Sequence, residues 1–437
     1  MDKPVTPNPW GLTPILMFVL LVLTTGILTN DITAMPVLTG FMIAAGFGLL
    51  LNPPHQRLTV GQKVQIFCEG GGNKNIILLV MIFLMAGAFY ALTIDIGARD
   101  ATVNLALNLV PQAWILPSLF VICCFISFSM GTSMGTITAL SPIGIGVAES
   151  LGLSVPMVLG IVVSGAMFGD NLSFVSDTTI AATRSQGVKL TDKFKANLLV
   201  VLPAAIITVL LLLNVDAGAA EHIAQREVEL LNVLPFLIII GCALAGMNVI
   251  VVLAMGIISA ALTGLFNGAF TPLQMLQSIQ KGMSWMQDLA LIAVTIGGIV
   301  GLMTAYGGIA WLMRALTKRV KSQRGAELSI ASLVSFLDLT TANNTIAIVT
   351  AGPIAKELGQ QYRADPRRLA SLLDIFSCSF QGMVPYGAQL LSAAAIAGIS
   401  PLAITPYCWY PMLILGCGLL SIAFGWPRFS QPVKDAL

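Results

Sequence analysis

Residues 155–181 read VPMVLGIVVSGAMFGDNLSFVSDTTIA, an apolar stretch of membrane-spanning length with a polar interruption beyond its middle. Gly, Asn and Ser surround Asp170, and these residues are poor helix formers. We therefore expect a local unwinding there that frees backbone carbonyls. The second half of the chain has a counterpart in 366–397, where the run QGMVPYGAQ begins at Gln381 and contains two glycines and a proline that interrupt a helix.

The two interrupted helices belong to a repeat with a fixed offset of 211 residues. At this offset Gly87 aligns with Gly298, Gly97 with Gly308, Pro142 with Pro353, and Asp170 with Gln381. Paired interrupted helices in the two halves of a chain are typical of secondary transporters, whose binding site lies near the bilayer midplane. The repeat therefore predicts a membrane transporter.

The composition is typical of a polytopic α-helical membrane protein. Hydrophobic residues make up 56% of the 437 positions, charged residues only 10%, and the mean hydropathy is +0.89. Globular domains carry about 25% charged residues, whereas apolar runs of about 20 residues recur along this chain. The net charge of +2 comes from basic residues in short loops, so no basic patch for nucleic acid is expected.

We predict ten membrane spans and two re-entrant hairpins in two inverted repeats, which cover 1–215 and 230–428. The predicted spans are 10–28, 33–52, 76–97, 155–181 and 195–214 in the first repeat, and 231–245, 248–265, 287–306, 366–397 and 408–426 in the second. Amphipathic connectors are predicted at 98–112 and 308–322. The predicted fold class is therefore all-α, with five transmembrane helices, one re-entrant hairpin and one broken helix in each repeat.

Each predicted hairpin consists of two apolar arms that meet at a polar tip. Hairpin 114–151 turns at 131–136, and hairpin 325–358 turns at 342–345. Each arm could instead cross the membrane separately, since two crossings leave the parity unchanged. The polar tips favour re-entry, because irregular backbone at membrane depth requires protein or a water-filled cavity around it.

Five crossings per repeat give the two repeats opposite orientations, and the basic residues support that arrangement. With a cytoplasmic N-terminus, only Arg99, Arg226 and Lys281 of the 22 basic residues fall outside. Cytoplasmic loops carry such an excess of Lys and Arg. We therefore predict a multi-pass protein of the bacterial cytoplasmic (inner) membrane, in contact with membrane lipid, with both termini cytoplasmic.

Asp170 is the leading candidate for a cation site, because an ionisable side chain at membrane depth costs roughly 2.5–3.5 kcal/mol and is a functional candidate by default. Asp177 follows seven residues later, on nearly the same helix face. Carboxylates, hydroxyls and freed carbonyls are the oxygen ligands that hard cations prefer. The first candidate site consists of Asp170, Asp177, Ser173, Asn171, Thr132, Ser133 and Thr136, with sodium held by Asp170, Ser173, Thr132 and Ser133. The acids at segment ends, where we expect headgroup contacts or helix capping, are Asp95, Glu149, Asp288 and Glu327.

The second half contributes neutral polar groups at the matching positions. This second candidate site consists of Asn343, Asn344, Thr345, Gln381, Tyr386 and Gln389. Asp338 and Asp374 lie on the helices that lead to the second tip and the second break. Two alternatives stay open for these acids: each either pairs with a polar group or titrates.

The sequence indicates neither an enzyme nor a bound cofactor. It contains no Ser-His-Asp set, metal cluster or phosphate-binding loop, and its two histidines, His55 and His222, lie in predicted loops. The seven cysteines are scattered without metal-ligand spacing, and we expect them to be packing residues.

The run GDNLSFVSDTT at 169–179 resembles the G-D-x-x-S-x-x-S-D-T-T signature of the NhaC family of sodium/proton antiporters. The resemblance spans nearly the whole chain, and the VPY run at 384–386 is similar to the family's Pro-Trp element, with Tyr386 in place of Trp. The wider superfamily, ion transporters with paired re-entrant hairpins, often has Ser-Asn-Thr at the hairpin tips and places sodium there. The NNT run at 343–345 differs from that sequence by one residue, and the TSM run at 132–134 by more.

The resemblance implies a secondary active transporter that exchanges sodium ions for protons. In this hypothesis Asp170 binds sodium when ionised and a proton when neutral, so that each ion displaces the other. The alternative is a sodium-coupled symporter, in which cargo, an amino acid or small organic acid, is held by Asn343, Asn344, Gln381, Tyr386 and Gln389. The paired breaks disfavour a channel. The oligomeric state stays open, and a homodimer is one of the states that the sequence allows.

Overall fold

The structure is a computed structural model that describes residues 6–29, 35–54, 58–174, 176–215, 229–318 and 320–429, and over these residues it contains helices and no β-strand. The helices of the first half are α1 (Thr13–Thr29), α2 (Val37–Leu50), α3 (Val60–Gly71), α4 (Lys74–Asp95), α5 (Ala98–Leu109), α6 (Ile115–Met130), α7 (Ser133–Leu151), α8 (Val155–Leu172), α9 (Asp177–Gln186) and α10 (Leu190–Leu213). Those of the second half are α11 (Leu230–Leu244), α12 (Val249–Phe266), α13 (Pro272–Trp285), α14 (Gln287–Ala305), α15 (Gly308–Thr317), α16 (Gln323–Thr341), α17 (Asn344–Tyr362), α18 (Pro366–Gln381), α19 (Ala388–Ala397), α20 (Pro401–Ile404) and α21 (Trp409–Phe424). Short 3-10 segments lie at Pro9–Leu12, Gln112–Trp114 and Thr405–Tyr407.

The apolar helices confirm a polytopic α-helical membrane protein. Within the described residues, seven segments are long and apolar enough to cross a membrane: Pro9–Thr29, Ile76–Asp95, Gln112–Met130, Val155–Gln186, Leu190–Leu213, Val249–Phe266 and Gln287–Ala305. A bent pair, Ala388–Ala397 with Pro401–Tyr407, raises the number to eight if it is taken as one span. Six of the ten predicted spans are among these seven segments, and the seventh, Gln112–Met130, is an arm of the predicted hairpin 114–151. The other predicted spans do not qualify, because α2, α11 and α21 are short and α18 carries Arg367, Arg368 and Asp374.

The helix boundaries recur at the 211-residue offset of the sequence repeat. Ser133–Leu151 recurs as Asn344–Tyr362, and Asp177–Gln186 recurs as Ala388–Ala397. The contacts are reciprocal as well, since α9 packs against α17 while α19 packs against α7. The second part of each broken helix thus packs against a hairpin arm from the other half of the chain. The inverted orientation of the two halves in the membrane stays a prediction.

The two helix pairs at the predicted hairpins turn more tightly than expected. The turns are Gly131-Thr132 and Ala342-Asn343, and in both the first residue is left-handed, with φ of 67° for Gly131 and 49° for Ala342. Glycine adopts this conformation readily and alanine does not, so surrounding contacts hold Ala342 in place. The rest of the predicted tips, 133–136 and 344–345, belongs to the first turns of α7 and α17.

The breaks in the two long helices are close to their predicted positions, with one correction. Helix α8 continues through Leu172, so Asp170 and Asn171 are helical and the break begins at Ser173. After this break α9 extends to Gln186, beyond the predicted end at 181. In the second half the break occupies 382–387, where the glycines and the proline predict it.

The short helix α20 was not predicted, and neither were the longer helices α3 and α13. Each of the two longer helices begins with a Thr-x-x-Gln capping box, at Thr59 and Thr271, and each is amphipathic, so its polar face resembles a loop in composition. Helix α3 packs against α14, and α13 packs against α4. Glycines allow this close approach, since a Cβ atom added to Gly87 would lie 2.2 Å from the carbonyl oxygen of Gly282.

Lys193 departs most from the predicted topology. The sequence places it in a cytoplasmic loop, but it is 1% exposed in α10 and pairs with Asp374 of α18, with an Nζ–Oδ2 distance of 2.9 Å. Its Nζ also donates hydrogen bonds to the carbonyl of Asn171 (2.7 Å) and to the hydroxyl of Thr179 (2.6 Å). The ammonium group therefore lies at the C-terminal end of α8, where unpaired carbonyls and the helix dipole favour a cation.

A second buried ion pair joins α16 to α18. The guanidinium of Arg368 donates two hydrogen bonds to the Glu327 carboxylate, at 2.9 and 2.7 Å. The sequence predicts headgroup contacts or helix capping for Glu327, at a segment end, and places Arg368 at the cytoplasmic start of a span. The structure instead buries both side chains in this ion pair. Lys63 is likewise buried rather than in a loop, and it donates to Asn52 Oδ1 at 2.8 Å. Charge in the sequence alone thus overestimates how many basic residues face water.

The predicted topology places the end of α17 in the cytoplasm, because Arg363, Arg367 and Arg368 follow it. We expect a cysteine at the exposed Gln361 to react with an impermeant thiol reagent in inside-out vesicles and not in intact cells, in a background with the exposed Cys68 replaced by serine.

The matched control is Asp100→Cys, at an exposed residue on the predicted outer side. This cysteine should react with the reagent in intact cells and not in inside-out vesicles. Reaction of the Gln361→Cys variant in intact cells would overturn the predicted topology.

The variant Lys193→Met leaves Asp374 buried without its cation. Removing one member of a buried ion pair costs about 3–5 kcal/mol, so we expect a clear fall in the thermal unfolding midpoint of the purified protein. The control Arg99→Met removes a contact with Asp100, whose side chain is 67% exposed, and should cost at most about 1 kcal/mol. Equal losses in the two variants would contradict a stabilising role for the buried pair.

Candidate functional site

A cavity of about 300 Å³ lies where the two helix-pair turns and the two helix breaks come together. The predicted residues that line it are Thr132, Ser133, Asp170 and Asp177 from the first half, and Asn343, Asn344, Thr345, Gln381, Tyr386 and Gln389 from the second. Much of the remaining wall is apolar and comes from α4 and α14. The two candidate sites of the sequence are therefore two sides of one cavity.

Asp170 forms an acidic part of the cavity wall. Its side chain is 4% exposed, and its Oδ1 accepts a hydrogen bond from the backbone N–H of Ser133 at 2.9 Å. Ser133 begins α7, so the carboxylate lies at a helix N-terminus, where free N–H groups and the dipole favour negative charge. The Thr178 hydroxyl donates across the break to the Asp170 carbonyl at 3.3 Å. Asp170 thus connects the first broken helix to the first turn.

Three of the four predicted sodium ligands, Asp170, Thr132 and Ser133, line the cavity. Ser173, the fourth, lies at the end of α8 and does not line it. Thr136 is fully buried in α7 and donates to the carbonyl of Thr132 at 3.3 Å, outside the cavity wall. One carboxylate and two hydroxyl side chains are oxygen donors of the kind that suits a sodium ion.

Asp177 lies on the far side of the break, as the exposed first residue of α9. It lines the central cavity and also a neighbouring cavity of about 600 Å³ whose wall includes Lys74 and Arg184. Thr345 is shared by both cavities in the same way. Asp177 and Thr345 therefore lie between the central cavity and the neighbouring cavity, and both residues line both.

The side-chain amides of the second half bond to each other and to the first turn. Gln381 Nε2 donates to Gln389 Oε1 at 2.6 Å and to the Ala342 carbonyl at 3.2 Å. Gln389 Nε2 in turn donates to Ser133 Oγ at 3.1 Å. Together with the Ser133 N–H bond to Asp170, these contacts link the acidic residue of the first half to the turn of the second. Gln381 Oε1 is buried without a protein partner in the described part of the chain.

Three further side chains of the second site make hydrogen bonds within the protein: Asn343, Asn344 and Tyr386. Asn343 caps α17, since its Oδ1 accepts a hydrogen bond from a backbone N–H of the first turn at 2.9 Å. Asn344 Oδ1 accepts from the next backbone N–H at 2.9 Å. The Tyr386 hydroxyl donates to the Leu339 carbonyl at 2.6 Å, which ties the second break to α16.

Asn171 and Asp374 belong to a network behind the cavity rather than to its wall. The Asn171 amide donates to Asp374 Oδ2 at 3.2 Å, and its oxygen accepts from the Tyr410 hydroxyl at 2.8 Å. Asn197 donates to the same Asp374 oxygen at 2.6 Å, and Lys193 completes its surroundings. Of the two alternatives for this acid, pairing is the one observed.

Sequence reasoning missed Lys193, Asn197 and Tyr410. A signal was available for two of them, because Lys193 and Asn197 are four residues apart and share one face of an otherwise apolar helix. The neighbouring Lys189 and Lys195 make this region resemble a cytoplasmic loop, and only the packing of α18 against α10 shows that Lys193 points inward.

Asp338 differs from Asp374. It is fully buried in α16, and neither carboxyl oxygen has a hydrogen-bond partner among the described residues.

A larger cavity, of about 780 Å³, lies elsewhere, between α16, α17 and residues 425–429, and no predicted site residue lines it.

Comparison with known proteins gives the family. The model of the Na+/H+ antiporter family matches residues 5–213 and 165–426, which together cover nearly the whole chain. The Na(+)/H(+) antiporter NhaC of Alkalihalophilus pseudofirmus is 24% identical, over 89% of this chain and 90% of that protein. The NhaC antiporter of Bacillus subtilis is 25% identical, over 80% of this chain and 84% of that protein.

A third relative is named for a different cargo. The malate-2H(+)/Na(+)-lactate antiporter of Bacillus subtilis is 24% identical, over 81% of this chain and 82% of that protein. The names of these relatives confirm the resemblance to the NhaC family, and all three are antiporters rather than enzymes. With its apolar helices, the chain is a multi-pass membrane transporter, and it belongs to the Na+/H+ antiporter family.

Proposed function

We propose that this chain exchanges sodium ions for protons and that the carboxyl group of Asp170 binds the two ions in turn. The observation that carries the proposal is the location of Asp170, a buried acid on the wall of a cavity to which both helix-pair turns contribute. Family membership supports sodium ions and protons as the transported species. A carboxyl group suits this exchange, because it offers a charged ligand when ionised and holds a proton when neutral.

Sodium is held by the Asp170 carboxylate together with the hydroxyls of Thr132 and Ser133. The backbone N–H of Ser133 donates to the carboxylate at 2.9 Å and keeps one oxygen fixed while the other faces the ion. Protonation removes the negative charge that attracts sodium. The two occupied states therefore exclude each other, and this exclusion couples the two fluxes.

Alternating access arises when the helix pairs and broken helices move against α1, α2, α11 and α12. The bonds from Asp170 through Ser133, Gln389 and Gln381 lie within the moving unit and keep the site together. The contact with the static unit includes the ring of Tyr386, which packs edge-on against rings of α1 and α2 at 5.6 and 5.7 Å. Because this contact between aromatic rings contains no hydrogen bond, the rings can move past each other without leaving a polar group unpaired.

We further propose that the protein lies in the bacterial cytoplasmic membrane with both termini in the cytoplasm and its two halves inverted. The distribution of basic residues supports this orientation. The reciprocal packing of α9 on α17 and of α19 on α7 is what a two-fold relation between the halves requires.

A sodium-coupled symporter receives less support from the site. The hydroxyl of Tyr386 and the amides of Gln381 and Gln389 are used in contacts within the protein, which leaves Gln381 Oε1 as the unpaired atom of this set. A cargo pocket for an amino acid or organic acid would keep several such groups free. Sodium/proton exchange therefore remains the proposed function.

Asp170→Asn keeps the size of the side chain but removes its charge and its titration. We expect sodium-driven proton movement in proteoliposomes to fall to the level of protein-free liposomes, because an amide neither attracts sodium strongly nor exchanges a proton. The surface variant Asp100→Asn is the control and should keep wild-type transport. Sodium-driven exchange at the wild-type rate in Asp170→Asn would sink the assignment.

Tyr386→Phe distinguishes the two cargo hypotheses. For an antiporter we expect sodium affinity to change by less than about tenfold, since the lost hydroxyl bond is worth about 0.5–1.5 kcal/mol and lies outside the ion's ligands. The half-saturating sodium concentration of exchange measures this. Uptake of labelled amino or organic acids by the wild type, lost in Tyr386→Phe with sodium binding intact, would favour the symporter instead.

A further inference from the structure

Asp170 and Asp177 of the first half line the cavity, and the second half has a buried acid, Asp338, on a different element. At the 211-residue offset, Asp170 aligns with Gln381, and Ser127 aligns with Asp338. The first half thus has an acid on its broken helix and a hydroxyl on its helix pair. The second half has an amide on its broken helix and an acid on its helix pair. This exchange of residue types suggests that the second acid has a role of its own.

The surroundings of Asp338 differ from those of its counterpart. Ser127 donates a hydrogen bond to the carbonyl of Ala166 in α8, at 2.5 Å. Asp338 is 0% exposed, and both of its oxygens lack a partner in the described part of the chain. The titratable side chains near it are the phenol of Tyr386 and the thiol of Cys378. No basic side chain pairs with it among the described residues.

This environment fits the protonated form of the carboxyl group. A buried carboxylate without a cation or hydrogen-bond donor is so costly that such a group neutralises instead. Asp374 shows the opposite solution in the same protein, because Lys193 and two amides stabilise its charge. The two acids therefore differ in their surroundings: Asp374 pairs with Lys193, whereas Asp338 has neither a cation nor a hydrogen-bond donor beside it in the described part of the chain.

Asp338 lies one helical turn before a residue that lines the central cavity. Its carbonyl accepts a hydrogen bond from the backbone N–H of Ala342 at 2.7 Å, one helical turn later, and Ala342 lines the cavity. Tyr386 also lines the cavity and bonds to Leu339, the residue next to Asp338. Proton release from Asp338 requires a displacement of this turn or of the Tyr386 ring that lets cavity water reach the carboxyl group.

We propose that Asp338 is a second proton-exchange site, which releases its proton to cavity water on one side of the membrane and regains one on the other. The proposal rests on the proposed sodium/proton exchange and extends it. The step is a simple ionisation, in which the O–H bond breaks, the electron pair stays on the carboxylate and water takes the proton. Asp170 exchanges one sodium ion for one proton, so a proton on Asp338 makes the ratio two protons per sodium ion and the cycle electrogenic.

The test is the coupling ratio of the reconstituted full-length protein. Sodium and proton fluxes are measured in proteoliposomes at a series of imposed membrane potentials, and the potential of zero net flux gives the number of protons per sodium ion. We expect two for the wild type and for the surface control Asp100→Asn, and one for Asp338→Asn. A ratio of one in the wild type, or of two in Asp338→Asn, would overturn the proposal. Absence of any sodium-driven proton flux in the wild type would instead refute the proposed function.

A second measurement does not depend on transport. Infrared difference spectra between the wild type and Asp338→Asn should show the loss of one carbonyl stretch of a protonated carboxylic acid at neutral pH, and Asp100→Asn should lose an ionised carboxylate band. Loss of a carboxylate band in Asp338→Asn would show that Asp338 is ionised. Loss of one bound sodium ion per protein in this variant, with the proton count unchanged, would assign Asp338 to sodium and contradict the proton site.

Discussion

The buried contact between Lys193 and Asp374 is the interaction on which the rest of the site depends. A helix that ends inside a membrane protein leaves carbonyls that no water satisfies, and each unpaired group is costly. The Lys193 ammonium meets this need at the end of α8 and simultaneously contacts α9 and α18. The ammonium group therefore joins α8 and α9 of the first half to α18 of the second half. The last turn of α8, which carries Asp170, is positioned by this contact.

The same network explains why α8 is helical further than its composition predicts. Asn171 uses its carbonyl for Lys193 and Asn197, and its side chain for Asp374 and Tyr410. These bonds fix the turn that Gly and Asn would otherwise weaken. As a consequence, the Asp170 side chain faces the helix-pair turn, while the neighbouring amide faces away from the cavity. One turn of helix therefore carries both the residue of the proposed ion site and the hydrogen-bond network that supports it.

The cavity combines a charged side with a neutral side, and each has a distinct physical role. On the charged side, Asp170 lies against a helix N-terminus, so its negative charge is tolerated at depth. On the neutral side, Gln381 and Gln389 connect the first turn to the second by hydrogen bonds. The neutral side therefore fixes the arrangement of the two turns, and the charged side supplies the carboxylate of the proposed ion site. Both halves must be folded together before either side is complete.

The sequence by itself determined the membrane class, the family, the two breaks and most of the polar residues that line the cavity. It could do so because a carboxylate such as Asp170 in an apolar helix, and Gly and Pro at matching offsets, are costly unless they serve a purpose. Helices α3 and α13 were not predicted, because the polar face of an amphipathic helix gives it the composition of a loop. The charge count supports an orientation that stays a prediction, and it does not predict burial, since Lys63 and Lys193 lie in predicted loops but are buried in the structure.

Tertiary structure alone decided which buried acid is paired and which is not. Asp338 and Asp374 occupy similar apolar helices, and nothing local distinguishes them. The difference lies in α10, which packs against α18 and brings Lys193 to Asp374, whereas no described basic residue reaches Asp338. Pairing between distant segments depends on the packing of helices in space, and a sequence specifies that packing only through the whole fold.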